Sequence, residues 1–139
     1  MFTIRYACEE DRTFWFTLDS HISESEFSLK CRDKRGYIIL DNDKPIGIMR
    51  YNLLWDIVPF LTFINIQDEN QRKGYGRQAM IFWENEMSEL GYKMLMTSTQ
   101  VDEEAQHFYR ELGYMDRGGI SLDNTPLEQP QEMFLVKNL

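Results

Sequence analysis

Between an apolar run and a stretch with helical spacing, the chain reads Gln71-Arg72-Lys73-Gly74-Tyr75-Gly76-Arg77. At a helix start the first backbone N–H groups lack intrahelical acceptors, and the helix dipole adds partial positive charge there. Glycine lets such a backbone approach a ligand where a Cβ would obstruct it. Arg72, Lys73 and Arg77 add three cations in an otherwise acidic chain. That chemistry suits a pyrophosphate. A glycine-rich turn with solvated charges is the bland alternative, because short glycine patterns recur by chance. Two other phosphate-binding patterns fail. Gly74-x-Gly76-x-x-Ala79 has the form of a dinucleotide fingerprint, but residues 67–73 separate it from the preceding strand. Ser98, Thr99 and Gln100 stand where that fingerprint needs an acidic residue. A kinase-type P-loop is a weaker match still, because no Gly-Lys-Ser/Thr follows.

Other chemistry-bearing residues are scattered. His21 and His107 are the only histidines, and neither has a companion for a triad or a metal site. Cys8 and Cys31 are isolated, with no CxxC pattern, which argues against a metal or disulfide framework. Lys30, Arg32, Lys34 and Arg35 read most simply as a solvated face, or as a guide for an anionic ligand. Trp55 reads as packing, with an acceptor-pocket role as the alternative. Tyr109 lies on an apolar helix face with Ala105, Phe108 and Leu112, a spacing that alone reads as a core aromatic.

The elements that position these residues follow from periodicity and breakers. Residues 2–7 alternate as a half-buried strand, and Phe14, Trp15 and Leu18 mark a short helix over about 9–20. Ser23 and Glu26 have capping-box spacing and open a helix toward Arg32. YIILD, the polar turn 41–44 and PIGIMRYNLL form a hairpin, and FLTFINI (60–66) is the next strand. Ala79, Trp83, Met87 and Leu90 share a helix face that Gly91 terminates. Residues 93–98 form a strand whose Met-Leu-Met centre predicts cover on both faces, with Met94 and Met96 in the core. A helix over about 103–112, capped by Asp102 and ended by Gly113, precedes strands near 114–121 and 132–138. The order β α α β β β α β α β β predicts an α/β mixed sheet with helices on both faces.

The chain has 139 residues, 42% of them hydrophobic and 14% aromatic, enough for one domain over 1–139. Its net charge of −8 argues against nucleic acid or an anionic membrane as partner. No apolar run approaches a membrane span, and the start lacks signal-peptide order. A reduced, cytoplasmic setting is expected.

Gln71-x-x-Gly74-x-Gly76 after an apolar strand resembles the Q/R-x-x-G-x-G/A signature of the GNAT superfamily of N-acetyltransferases. Ala105-Gln106-His107-Phe108-Tyr109-Arg110-Glu111-Leu112-Gly113-Tyr114 is similar to that family's A-x-x-F-Y-x-x-x-G-F/Y helix. The element order is also the family's. The resemblance is carried by residues 60–115; the first 55 match in pattern only.

The resemblance implies acetyl-CoA as co-substrate and no metal. Gln71, Arg72, Lys73, Gly74, Tyr75, Gly76 and Arg77 would hold the pyrophosphate. The end of a splayed, bulged strand at Ile64, Asn65 and Ile66 would pair with the pantetheine arm and offer an oxyanion donor. Tyr109 would assist departure of the thiolate. The chain departs from the family pattern in having Asp102 where the family often has Asn, and no carboxylate in 60–66 to act as general base. Glu24, Glu26 and Asp56, acting through water, remain candidates for that role.

The acceptor is expected to be an amine of a small molecule or peptide. Glu24, Glu26, Asp56, Asp123 and Glu128 near its expected cleft favour a cationic one. A homodimer is left open. A non-catalytic coenzyme A-binding module and a protein-contact domain are the alternatives.

Overall fold

The structure is a computed structural model that describes residues 1–139. Its elements run β1 (Phe2–Tyr6), α1 (Arg12–Leu18), α2 (Glu24–Asp33), β2 (Gly36–Asp41), β3 (Lys44–Leu54), β4 (Val58–Ile66), α3 (Tyr75–Glu89), β5 (Met94–Gln100), α4 (Ala105–Glu111), β6 (Met115–Ile120) and β7 (Glu132–Asn138). That is the order expected from the sequence. The strands form one seven-stranded mixed sheet, β1-β2-β3-β4-β5-β7-β6. β4 and β5 are parallel, whereas β1–β2, β2–β3, β5–β7 and β6–β7 are antiparallel. No helix is long and apolar enough to cross a membrane.

The chain divides into two compact units, Met1–Asn52 with Thr62–Asn85, and Leu53–Leu61 with Glu86–Leu139. In the first, Asn42 and Asp43 both have positive φ (49° and 65°), as a two-residue hairpin turn requires. Alternation along β2 sends Ile38 and Leu40 to one face, where they pack with Ala7, Trp15, Phe27 and Ile48. Tyr37 goes to the other face, edge-on to Phe82 of α3, and Tyr51 of β3 meets Trp83. Residues 36–40 are therefore all buried. The start of α2 has the expected cap, Ser23 Oγ accepting the Glu26 N–H at 3.1 Å. The helix expected over 9–20 is instead a 3-10 turn, Glu9–Asp11, followed by α1.

Ala79, Trp83 and Met87 are fully buried along α3, but Leu90 is 63% exposed. The helix ends at Glu89, and Gly91 at φ 95° turns the chain so that the Tyr92 N–H reaches Met87 O. Leu90 thus falls beyond the apolar stripe.

The second unit corrects four expectations. Along β5, Leu95, Thr97 and Thr99 are buried while Met94 and Met96 are only half-buried. Period-two alternation puts the methionines on the less covered face. Asp102 caps nothing, because α4 starts at Ala105 with Glu104 at its N-cap. The Gln106 amide instead ties down the Val101 and Glu103 carbonyls at 2.8 and 2.9 Å, and Asp102 is left exposed. Trp55 is 78% exposed, so packing does not explain it. It shares with Asp56 the tight turn between β3 and β4, both at positive φ (55° and 64°). β4 starts at Val58 and incorporates Pro59, two residues earlier than predicted.

Candidate functional site

The end of β4 runs directly into the glycine loop, all within the first unit. A 3-10 turn, Asp68–Asn70, takes the chain from the strand to Gln71. Gln71 Nε2 donates to Ile66 O at 2.9 Å, clamping the loop back onto the strand end. The loop itself alternates in hand: Arg72 has φ 62°, Lys73 is not left-handed, and Gly74 has φ 83°. Such alternation turns successive N–H groups to one side and makes an anion-binding concavity. A Cβ added at Gly74 would meet nothing within 4 Å. Backbone hand therefore favours glycine here, and the space beside it is open to a ligand.

α3 begins at Tyr75, and the Gln78 N–H to Gly74 O bond (3.1 Å) is the first bond closing its ladder. The amides ahead of Gln78 are the helix's unsatisfied donors. Arg72, Lys73 and Arg77 are exposed around them. Tyr75 contributes only backbone here: its ring stacks on Phe2, and its hydroxyl donates to Asp41 Oδ2 at 2.8 Å. The N-terminal ammonium, and then Tyr75, hold the Asp41 carboxyl below the usual range.

Two contacts set the path of Ile64, Asn65 and Ile66. The Asn65 amide donates to Leu18 O at 3.0 Å, which ties its side chain to the end of α1. Gly47 of β3 lies so close that a Cβ there would be 2.6 Å from Ile66 Cδ1 and 2.9 Å from Asn65 O. Nothing in the sequence pattern singled out Gly47. Its position inside an apolar strand was the available signal.

In the second unit, Tyr109 is 6% exposed, with its ring against Phe108 and Tyr114. Burial pushes its phenol up to about 12, opposed by a hydrogen bond with Thr97. Thr97 Oγ1 in turn donates to Leu61 O at 3.0 Å. Tyr109 is thus both a core aromatic and a polar group with a placed hydroxyl. His107 is exposed.

A cavity of about 370 Å³ opens beside the α1–α2 turn, lined by His21, Ile22, Ser23, Glu26, Lys30, Arg50 and Asn52. Lys30 belongs to this wall and is half-buried, which removes it from the solvated cationic face expected of it. Behind the wall, Arg50 Nε donates to Asp19 Oδ2 at 2.8 Å. Asp19 is 1% exposed and also accepts from Trp15 Nε1 and the His21 N–H. The visible signal was Arg50 itself, a charge within an apolar strand. Among the carboxylates expected at an acceptor cleft, only Glu26 lines this cavity; Glu24 pairs with Arg12 at 3.3 Å.

A sequence model described as the Acetyltransferase (GNAT) family matches residues 4–114. No curated protein matches the chain by sequence. Among solved structures, the ribosomal-protein-S18-alanine N-acetyltransferase from Escherichia coli matches at TM-score 0.81 and 18% identity, covering 99% of this chain and 94% of that one. Arabidopsis thaliana Naa50, in complex with the bisubstrate analogue CoA-Ac-MVNAL, matches at TM-score 0.82 and 11% identity, covering 99% of both chains. A GNAT family acetyltransferase from Elizabethkingia anophelis with acetyl-CoA bound matches at 0.78 and 19%, covering 99% of this chain and 98% of that one. The family match spans well over half of the chain and takes in both the glycine loop and the Tyr109 helix: the chain belongs to the Acetyltransferase (GNAT) family.

Proposed function

We propose that residues 1–139 act as one acetyl-CoA-dependent N-acetyltransferase domain, in which a primary amine attacks the thioester directly. The carrying observation is the loop of alternating hand at Arg72–Gly74, opening a helix among three cations beside the end of β4. Bound acetyl-CoA supplies the activated acetyl group. The amides of residues 72–77 would take the pyrophosphate, with Arg72, Lys73 and Arg77 adding charge. Gln71 would hold the loop in register rather than touch the ligand through its side chain. Backbone groups of Ile64, Asn65 and Ile66 would align the pantetheine arm, and an N–H there would stabilise the oxyanion. Tyr109 would donate to the departing thiolate. Glu26, which lines the cavity, would draw a proton from the amine through water.

An amine acceptor accords with the structural neighbours whose names carry a protein or peptide substrate. The cationic acceptor expected from the sequence retains only Glu26 in the cavity as support. Two free cysteines accord with a cytoplasmic setting. A non-catalytic coenzyme A-binding module is the second reading, favoured by the absence of a carboxylate in residues 60–66.

Thiol release from acetyl-CoA with an amine panel separates the two. Calorimetry of Gly74→Asp tests the site, since it puts a negative charge and a Cβ at a left-handed position in the anion's space. Binding should weaken by at least tenfold; unchanged affinity in a folded variant refutes the placement.

A further inference from the structure

The geometry points to the cavity beside the α1–α2 turn as a carboxylate site, making the acceptor a carboxylated amine about the size of a dipeptide. This assignment rests on the acetyl-transfer reading. The volume of about 370 Å³ lies in the small-molecule range and is too small for a folded partner.

Two cations, Lys30 and Arg50, form part of its wall. Arg50 carries five N–H donors, and its pairing with Asp19 is made through Nε. Asp19 is sealed beneath, so it steadies the guanidinium without reaching a ligand. The Arg50 guanidinium also lies over the Phe63 ring, 5.3 Å from its centroid. Lys30 donates to Asn52 Oδ1, and the Asn52 amide donates to Thr62 Oγ1 at 3.0 Å. Both cations are therefore fixed, which lowers the ordering cost of binding an anion.

Burial, and then the charge of Arg50, push the Lys30 ammonium below its usual range. Glu26 and Asp33 oppose that shift in part, and an anion bound beside Lys30 would oppose it further. The remaining charge is Glu26, exposed at the opening and suited to the acceptor's ammonium. Opposite charges at the mouth and wall match a zwitterion better than a polycation. Thr62 and Phe63 precede Ile64–Ile66 on the same strand by a few residues, about 10 Å at strand rise. An extended dipeptide, about 7 Å from amine to carboxylate, covers most of that distance.

The experiment compares amino acids and glycine dipeptides with their C-terminal amides. Thiol release is read for the wild type, Lys30→Gln and Lys30→Arg. In the wild type the free acids should exceed their amides in kcat/KM by roughly tenfold or more, the worth of a charged hydrogen bond. Lys30→Gln should shrink that ratio to about twofold, and Lys30→Arg should keep it. Equal use of acid and amide overturns the assignment, as does an equal fall for both in Lys30→Gln. Calorimetry with N-acetyl amino acids and N-acetyl amino amides reads the cavity without turnover. Carboxylate-dependent binding that Lys30→Gln abolishes supports the site even if no acetylation occurs, a result that counts against acetyl transfer alone. Turnover without acid preference overturns the cavity assignment and leaves acetyl transfer standing. Binding of neither series overturns it as well.

Discussion

Removing one oxygen from Tyr109 separates its two roles. Tyr109→Phe keeps the ring against Phe108 and Tyr114, whose centroids lie at 5.4 and 5.8 Å, so packing survives. Thr97 Oγ1 donates to Leu61 O at 3.0 Å, a bond that does not depend on the phenol. Loss of the phenol therefore removes one hydrogen bond and leaves Thr97 with its partner, and the fold should lose only about 1 kcal/mol. A hydrogen bond to a thiolate that forms late is worth about 1.5 to 3 kcal/mol, so kcat should fall by roughly 10- to 150-fold. The KM for acetyl-CoA should change little, because the charge is absent from the ground state.

The pH behaviour is a second handle. With the phenol raised from the usual 10 to about 12, Tyr109 stays protonated across the assay range. Wild type and Tyr109→Phe should therefore show kcat profiles of the same shape, one scaled below the other. A raised folded-state value means the folded chain holds the proton longer. The associated stability is intact below about pH 10 and disappears between about pH 10 and 12, a loss of about 3 kcal/mol that the Phe variant should not show. Steady-state thiol release, with denaturant melts on the same preparations, gives all four quantities. Undiminished kcat per folded molecule returns Tyr109 to packing alone. A wild-type alkaline limb near pH 10 that the variant lacks refutes the effect of burial.

Gly47→Ala drives a Cβ to 2.9 Å from Asn65 O and 2.6 Å from Ile66 Cδ1. It should cost about 1 to 3 kcal/mol and displace the end of β4, lowering kcat/KM for acetyl-CoA beyond the loss of folded protein; full specific activity would show that the strand end is uninvolved. Asp19→Asn leaves Arg50 without its buried partner and should cost about 3 to 5 kcal/mol in urea unfolding, whereas a change under 1 kcal/mol would place the stabilising contact elsewhere. The hydrogen bonds from Arg5, above all, hold the Asp11 carboxyl below its usual range. Its stabilisation is present above about pH 4 and is lost as pH falls through the depressed value, so Asp11→Asn should flatten the acid limb of the melting curve.

Element order was legible because hydrophobic period and glycine stops are local properties. Gly91 and Gly113 end their helices at positive φ, both 95°, as their spacing from the last apolar residues implied. The chemistry of the 71–77 loop was equally local, since a glycine, a helix start and clustered cations are all consecutive in the chain. Non-local choices were not legible. Asp102 had a capping residue's type and place, but α4 starts at Ala105 with Glu104 at its N-cap, which leaves Asp102 two positions short. Lys30 looked like one more surface cation until β3 brought Arg50 and Asn52 against it. Asp19 and Arg50 are 31 residues apart, and no pattern along the chain pairs them. Gly47 was indistinguishable from any strand glycine before Asn65 and Ile66 packed over it. A sequence displays each residue's own preferences, whereas cavities, buried ion pairs and close backbone approaches arise from which strands the sheet makes neighbours.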